Sequence, residues 1–356
     1  MTRPPDFDRL RNTLLRKGPT DGVPLYELGL HPIHMDAARA HFAGLPPLTE
    51  AQWSDPATRC PAIVEFWKCA GYDYVRPALP LGFTNRSTTS IADTGGEGDR
   101  EWAPEHGGDI TDRESFEAYD WPTLESLDFT ELRHCSENLP DGMGIVLAVG
   151  GGFLEWAMGL LGFEGYCMML FQDPELIRDV HARIGEHILA SVEAAFGQGR
   201  IDAVMIGDDM GFRSSTMVAP ETLREHVLSW HTRLVDLVHG HGALFVLHSC
   251  GQLEAIMDDL IDTVKIDGKH SYENNITPVW EAKRRWGDRV AILGGVDMDI
   301  LCRSSVDECR AAVRDVLARC APGGGYALGS GNTVANYVSS ANYLAMVEEG
   351  LAWRNP

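Results

Sequence analysis

The chain is short of positive charge. Its 30 lysines and arginines stand against 52 aspartates and glutamates, a formal charge of −22. Such a surface repels phosphate backbones, which excludes nucleic acid as the expected partner. No run approaches the ~18 apolar residues that a membrane-crossing helix needs. The segment from Met1 to Gly18 lacks the apolar core of a signal peptide and reads as an amphipathic helix carrying Leu10, Leu14 and Leu15. The expected location is therefore cytoplasmic. The eight cysteines (60, 69, 135, 167, 250, 302, 309 and 320) form no CxxC pair. In a reducing compartment most of them are small buried hydrophobes. Internal repeats, low-complexity linkers and a GxGxxG fingerprint are also missing. What remains is 44% hydrophobic and 23% charged, the mix of a globular enzyme rather than of a disordered or fibrous chain.

Eight short β-rich apolar runs can be read: Val23–Glu27, Tyr72–Arg76, Ile145–Val149, Ala203–Gly207, Leu244–His248, Val264–Asp267, Ala291–Gly294 and Tyr326–Gly329. Helical periodicity lies between them, over Phe153–Leu161, Glu175–Phe196, Pro220–Val238, Val306–Ala318 and Asn342–Trp353. This alternation predicts an α/β fold, a (β/α)8 TIM barrel forming one domain over residues 1–356, with an N-terminal helix in 1–20. The spacing from Tyr72 to Ile145 exceeds one crossover helix. It predicts an insertion over 82–140, whose Gly/Asp/Glu-rich part, Gly82–Gly107, reads as a hairpin or lid.

In such a barrel, chemistry sits just past the C-terminal ends of the strands. His248-Ser249-Cys250 is the sharpest pattern there. Residues i and i+2 of an extended segment point the same way, so an imidazole and a thiolate can share one Zn²⁺. The competing reading is a hydrogen-bonded histidine beside a buried cysteine. Asp208 and Asp209 can serve as acid, metal ligand or partner of a substrate cation, or can cap the next turn. Glu27 stands in an apolar segment, where a carboxylate is costly unless paired or metal-bound. His270 and Asp297 follow the sixth and seventh strands. Gly151, in Gly150-Gly151-Gly152, permits close backbone approach to a ligand, and Trp156 lies just beyond it. Asn332 can hydrogen-bond a polar ligand.

These residues, in this order, resemble the uroporphyrinogen decarboxylase superfamily, which also holds cobalamin- and coenzyme-M-linked methyltransferases. The resemblance is carried by Arg11–Pro24, GGGFLEW at Gly150–Trp156, HGHGALFVLHSCG at His239–Gly251, ILGGVDMDIL at Ile292–Leu301, and YALGSGNTVANYVSSAN at Tyr326–Asn342. It implies a barrel with a cleft at its C-terminal face and a homodimer. The decarboxylases proper carry an arginine-rich loop after the first strand and an aspartate after the second. Here those loops read Glu27-Leu28-Gly29-Leu30-His31 and Arg76-Pro77-Ala78-Leu79-Pro80-Leu81-Gly82, with neither feature. The methyltransferase branch implies zinc on the HxC pair and on a later cysteine, a position where Ser330 stands. An oxygen ligand from Glu27 or Asp208 is then expected to complete the site.

The expectation is methyl transfer between a small substrate and a corrinoid or tetrahydrofolate, with a zinc-activated site. The chain contains no DxHxxG sequence, so a corrinoid would arrive on a separate protein. Two alternatives stand beside it. One is a metal-independent decarboxylase or lyase using Asp208 and His270 as acid and base. The other is a barrel that binds a ligand without turnover.

Overall fold

In a computed structural model of the chain, the described residues are 3–84, 88–91, 99–102 and 107–354, the two short stretches as backbone alone. The central sheet is parallel. It is built from β1 (Tyr74–Val75), β2 (Ala78–Leu79), and then, past the insertion's β3 (Thr88–Ile91) and β4 (Asp99–Trp102), from β5 (Gly144–Val149), β6 (Ala203–Gly207), β7 (Leu244–His248), β8 (Gly268–His270), β9 (Ala291–Leu293) and β10 (Tyr326–Ala327). Neighbours run β1-β5-β6-β7-β8-β9-β10, and β2 extends the β1 side against β5. Residues of β5, β7, β8 and β9 are buried throughout, as expected for parallel strands covered on both faces.

The covering helices start where the sequence supplies caps. Asp173 caps Pro174–Phe196, whose proline fills the first helical position, where no N–H is needed. Ser305 and Glu308 form a capping box at the start of Val306–Cys320. The helix Phe153–Leu161 packs Phe153, Leu154, Ala157 and Leu160 inward. Among the described residues, no helix is long and apolar enough to cross a membrane.

Two expected strands are corrected. Val23–Glu27 makes only an isolated bridge, Leu25 with Leu328, flanked by Tyr26 N–H to Leu328 O at 2.8 Å and Leu328 N–H to Pro24 O at 2.9 Å. Pro24 has no N–H with which to extend a ladder. Among the described residues no backbone pairing joins this segment to β1, so the structure shows an α/β curled sheet rather than a fully closed barrel. The sixth strand lies at Gly268–His270, not Val264–Asp267. Val264 ends a turn of π-helix, Asp259–Val264, and Lys265 takes φ 66°, which turns the chain before the strand begins. The insertion does contain an antiparallel hairpin, β3 with β4. Residues 85–87, 92–98 and 103–106, and with them most of the expected lid, lie outside the described residues.

Candidate metal centre

Three donors of different chemistry converge past the ends of β6 and β7. The ligand atoms of Asp209, His248 and Cys250 all lie within 4.8 Å of one another. His248 Nε2 is 3.5 Å from Cys250 Sγ and 3.5 Å from Asp209 Oδ1. The Cys250 N–H donates to Asp209 Oδ1 at 2.7 Å, which holds the carboxylate beside the thiol. Asn332 Nδ2 reaches the same sulfur at 3.0 Å.

The residue behind the histidine sets its tautomer. The Ser330 carbonyl only accepts, so His270 Nε2, 2.9 Å away, carries a proton. In the neutral ring His270 Nδ1 is then an acceptor, and His248 Nδ1 donates to it at 2.8 Å. This leaves a bare lone pair on His248 Nε2, aimed at Cys250 and Asp209. Burial, with the Lys269 and Arg76 charges, holds His248 neutral, its pKa pushed down to about 3. Burial and the neighbouring His248 also push His270 well below the ordinary range. Gly294 makes the His270 position possible, since a Cβ there would stand 2.5 Å from the His270 ring and from Ser330 O.

Nitrogen, sulfur and oxygen donors of this kind suit zinc. Burial, Asp209 and Glu273 push the Cys250 thiol up, so it is protonated without a metal. A metal bound there would displace that proton. His270 acts behind the ligand, and outer partners of this kind are worth about 10- to 100-fold in metal affinity. The His270→Ala protein is therefore expected to bind zinc about 10- to 100-fold more weakly, as read by competition with a chromophoric chelator.

The other expected ligand, Glu27, does not join these three. It is fully enclosed and accepts from Ser330 N–H at 3.2 Å and from the Ser330 hydroxyl. Asp209 supplies the oxygen atom of the cluster instead. Burial outweighs the Ser330 bonds and pushes the Glu27 pKa up to about 8, from 4.5. The folded protein therefore keeps a proton that the unfolded chain has lost. Its contribution to stability is full below about pH 4.5 and disappears as pH rises through about 8. Glu27→Gln is expected to flatten that fall, at most ~1.4 kcal/mol per pH unit, in denaturant titrations repeated across this range.

Asp208 also turns away from the metal site. It is fully buried, and its carboxylate accepts the N–H groups of Phe153, Leu154 and Glu155 at 3.1, 3.0 and 3.0 Å, at the start of the helix Phe153–Leu161. His231 Nε2 lies 2.8 Å from the same carboxylate. A Cβ on Gly152 would stand 2.2 Å from Asp208, so the glycine run serves this clamp. The remaining expected ligand contacts divide similarly. Gly151, at φ 90°, lies under the Trp156 indole, whose Nε1–H donates to Gly150 O at 2.9 Å while its ring packs on Phe83 with centroids 4.8 Å apart. Asp297 caps the helix Met298–Arg303 through Asp299 N–H and accepts from Asn274 N–H at 3.0 Å. Asn332 alone of these four touches the cluster.

Three charged residues near the centre were not singled out from the sequence. Lys269 is buried and donates to Ser249 O at 2.9 Å and Ser271 O at 2.5 Å. Burial pushes its pKa down to about 8, against the pull of Cys250, Asp209 and Glu273. Glu155 is pushed up by burial and by Asp209 and Asp208. Arg76 separates β1 from β2. None of the three carried a readable signal, because the strand that buries Lys269 was itself expected at Val264–Asp267.

With this geometry in place, the comparisons with known proteins are informative. Residues 123–352 match the family model for uroporphyrinogen decarboxylase (URO-D). The uroporphyrinogen decarboxylase of Thioalkalivibrio sulfidiphilus (strain HL-EbGR7) is 28% identical over 188 residues, 51% of this chain and 50% of that protein. The methylcobamide:CoM methyltransferase MtaA of Methanosarcina barkeri (strain Fusaro / DSM 804) is 26% identical over 202 residues, 56% of each. The chain spans about half the length of the curated relatives it matches. In fold it is similar to a methyltransferase from Methanosarcina mazei, with TM-score 0.67 and 18% identity over 96% of this chain and 97% of that one. These relatives are named as enzymes, decarboxylases on one side and methyltransferases on the other. The chain belongs to the uroporphyrinogen decarboxylase (URO-D) family.

Proposed function

We propose that the chain is a methyltransferase that moves a methyl group between a small substrate and a corrinoid or tetrahydrofolate, with zinc held by Asp209, His248 and Cys250. The observation that carries this is the convergence of those three donors, with His248 Nε2 left unprotonated by the His270–Ser330 relay. Zinc held there supplies Lewis acidity that favours the deprotonated, nucleophilic form of a thiol acceptor. The protein's own part is positioning. Asn332 fixes the Cys250 sulfur and His270 fixes the imidazole. The Cys250 N–H fixes Asp209, and Glu155 holds a proton beside that carboxylate. Fixing the donors on strand ends keeps nucleophile, methyl carbon and leaving group in line.

The likeness to the methylcobamide:CoM methyltransferase supports this reading, and with it a corrinoid as the methyl carrier. Metal-free lyase chemistry through Asp208 and His270 has no support in the geometry. Asp208 is committed to a helix N-terminus, and His270 is enclosed between Ser330 and His248. The test is incubation of the zinc-loaded protein with methylcobalamin and a small thiol, followed by the cobalamin absorption spectrum. Thiol-dependent loss of the methylcobalamin band supports the reading. An unchanged spectrum with both methylcobalamin and methyltetrahydrofolate as donors overturns it.

A further inference from the structure

The chain carries a charge of −22, and yet a guanidinium beside the candidate metal centre is left without an ion pair. Among the described residues Arg76 has no ion-pair partner, and its enclosed Nε has no hydrogen-bond partner. Tyr26, whose phenol the Arg76 charge reaches, is fully buried with a hydroxyl that likewise has no partner, and Tyr74 Oη accepts the Glu27 N–H. Glu27 carries its own proton at neutral pH and is bound to Ser330. Glu131, the other carboxylate whose field reaches Arg76, is taken by Arg59 at 3.6 Å and by the Ala78 N–H at 2.8 Å. A guanidinium held this way is costly unless an anion completes it.

The side chain is only half-buried, and a run of neighbours links it to the candidate metal centre. Asn332 touches Cys250, and Thr333 follows it. A Cβ on Gly29 would stand 3.7 Å from Thr333 on one side and 3.9 Å from Arg76 Nη2 on the other. The charge also bears on both His248 and His270.

We infer that Arg76 is the recognition group for a carboxylate on the small-molecule ligand. The planar fork of a guanidinium matches a carboxylate in two parallel hydrogen bonds. The inference rests on the proposed methyl transfer only in taking this ligand to be that reaction's small substrate, so its test is a binding measurement that needs no turnover.

The experiment is calorimetric titration of the zinc-loaded protein with mercaptoacetate and with its neutral analogue mercaptoacetamide, on wild type and on Arg76→Gln. The wild type is expected to bind the acid about 10- to 100-fold more tightly than the amide, the span of a charged hydrogen-bonded pair. Arg76→Gln is expected to bind the two alike, to keep its zinc, and to melt no lower than wild type, because an unpaired charge has been removed. Equal or undetectable binding of acid and amide by wild type overturns the inference, as does a preference that survives in Arg76→Gln. An acid preference in a protein that leaves methylcobalamin untouched overturns the methyl-transfer reading and leaves the anion site standing.

Discussion

The Asp208→Ala protein is expected to lose about 3–5 kcal/mol of folding stability, the loss typical of breaking a buried, fully hydrogen-bonded charge. Three backbone N–H groups at the start of Phe153–Leu161 and the His231 ring lose their acceptor at once. Phe153, Leu154 and His231 are fully buried like Asp208, so their donors find no water in its place. At roughly 2–4 °C per kcal/mol, the melting temperature should fall on the order of 10 °C. Asp208→Asn keeps one acceptor oxygen and should fall less. A protein that melts like wild type but turns over far more slowly would instead make Asp208 the acid that its neighbourhood with Asp209 first suggests.

The second large effect is on the metal. Cys250→Ala is expected to purify with close to no zinc where wild type holds about one per chain, and to leave methylcobalamin unchanged. Asp209→Ala should weaken binding and Glu27→Ala should not, because Asp209 belongs to the cluster and Glu27 faces Ser330. Elemental analysis of the four proteins, purified without chelator, separates these outcomes. Zinc retained in Cys250→Ala, or lost in Glu27→Ala, would move the metal away from the cluster.

Much of the scaffold was legible because it obeys simple periodicities. The runs at Ala203–Gly207 and Leu244–His248 are apolar, short and bounded, and both are strands as read. Phe153–Leu161 likewise begins and ends where its glycine run and apolar pattern indicate. The misreadings have particular causes. Gly268–His270 escaped notice because two of its three residues are polar groups kept in the interior for the site, while the apolar Val264 belongs to a π-turn. The bridge at Leu25 looked like a strand because periodicity does not register the donor that Pro24 lacks.

The site divides in the same way. The His248–Cys250 pair was readable from its i, i+2 spacing. Which of two adjacent aspartates would face it was not, since neighbours on a strand end point in different directions. Asp209 faces the metal site and Asp208 faces the helix, and that choice is made by three N–H groups some 54 residues earlier in the chain. The unpaired Arg76 was invisible for a related reason: only the fold shows which charges have no partner.

Zinc-edge X-ray absorption on the metal-loaded wild-type protein reads the ligand shell itself. One sulfur scatterer is expected at about 2.3 Å, from Cys250, with the remaining shell of nitrogen and oxygen at about 2.0–2.2 Å. A shell with two or more sulfurs, or with none, would contradict a centre built on Asp209, His248 and Cys250.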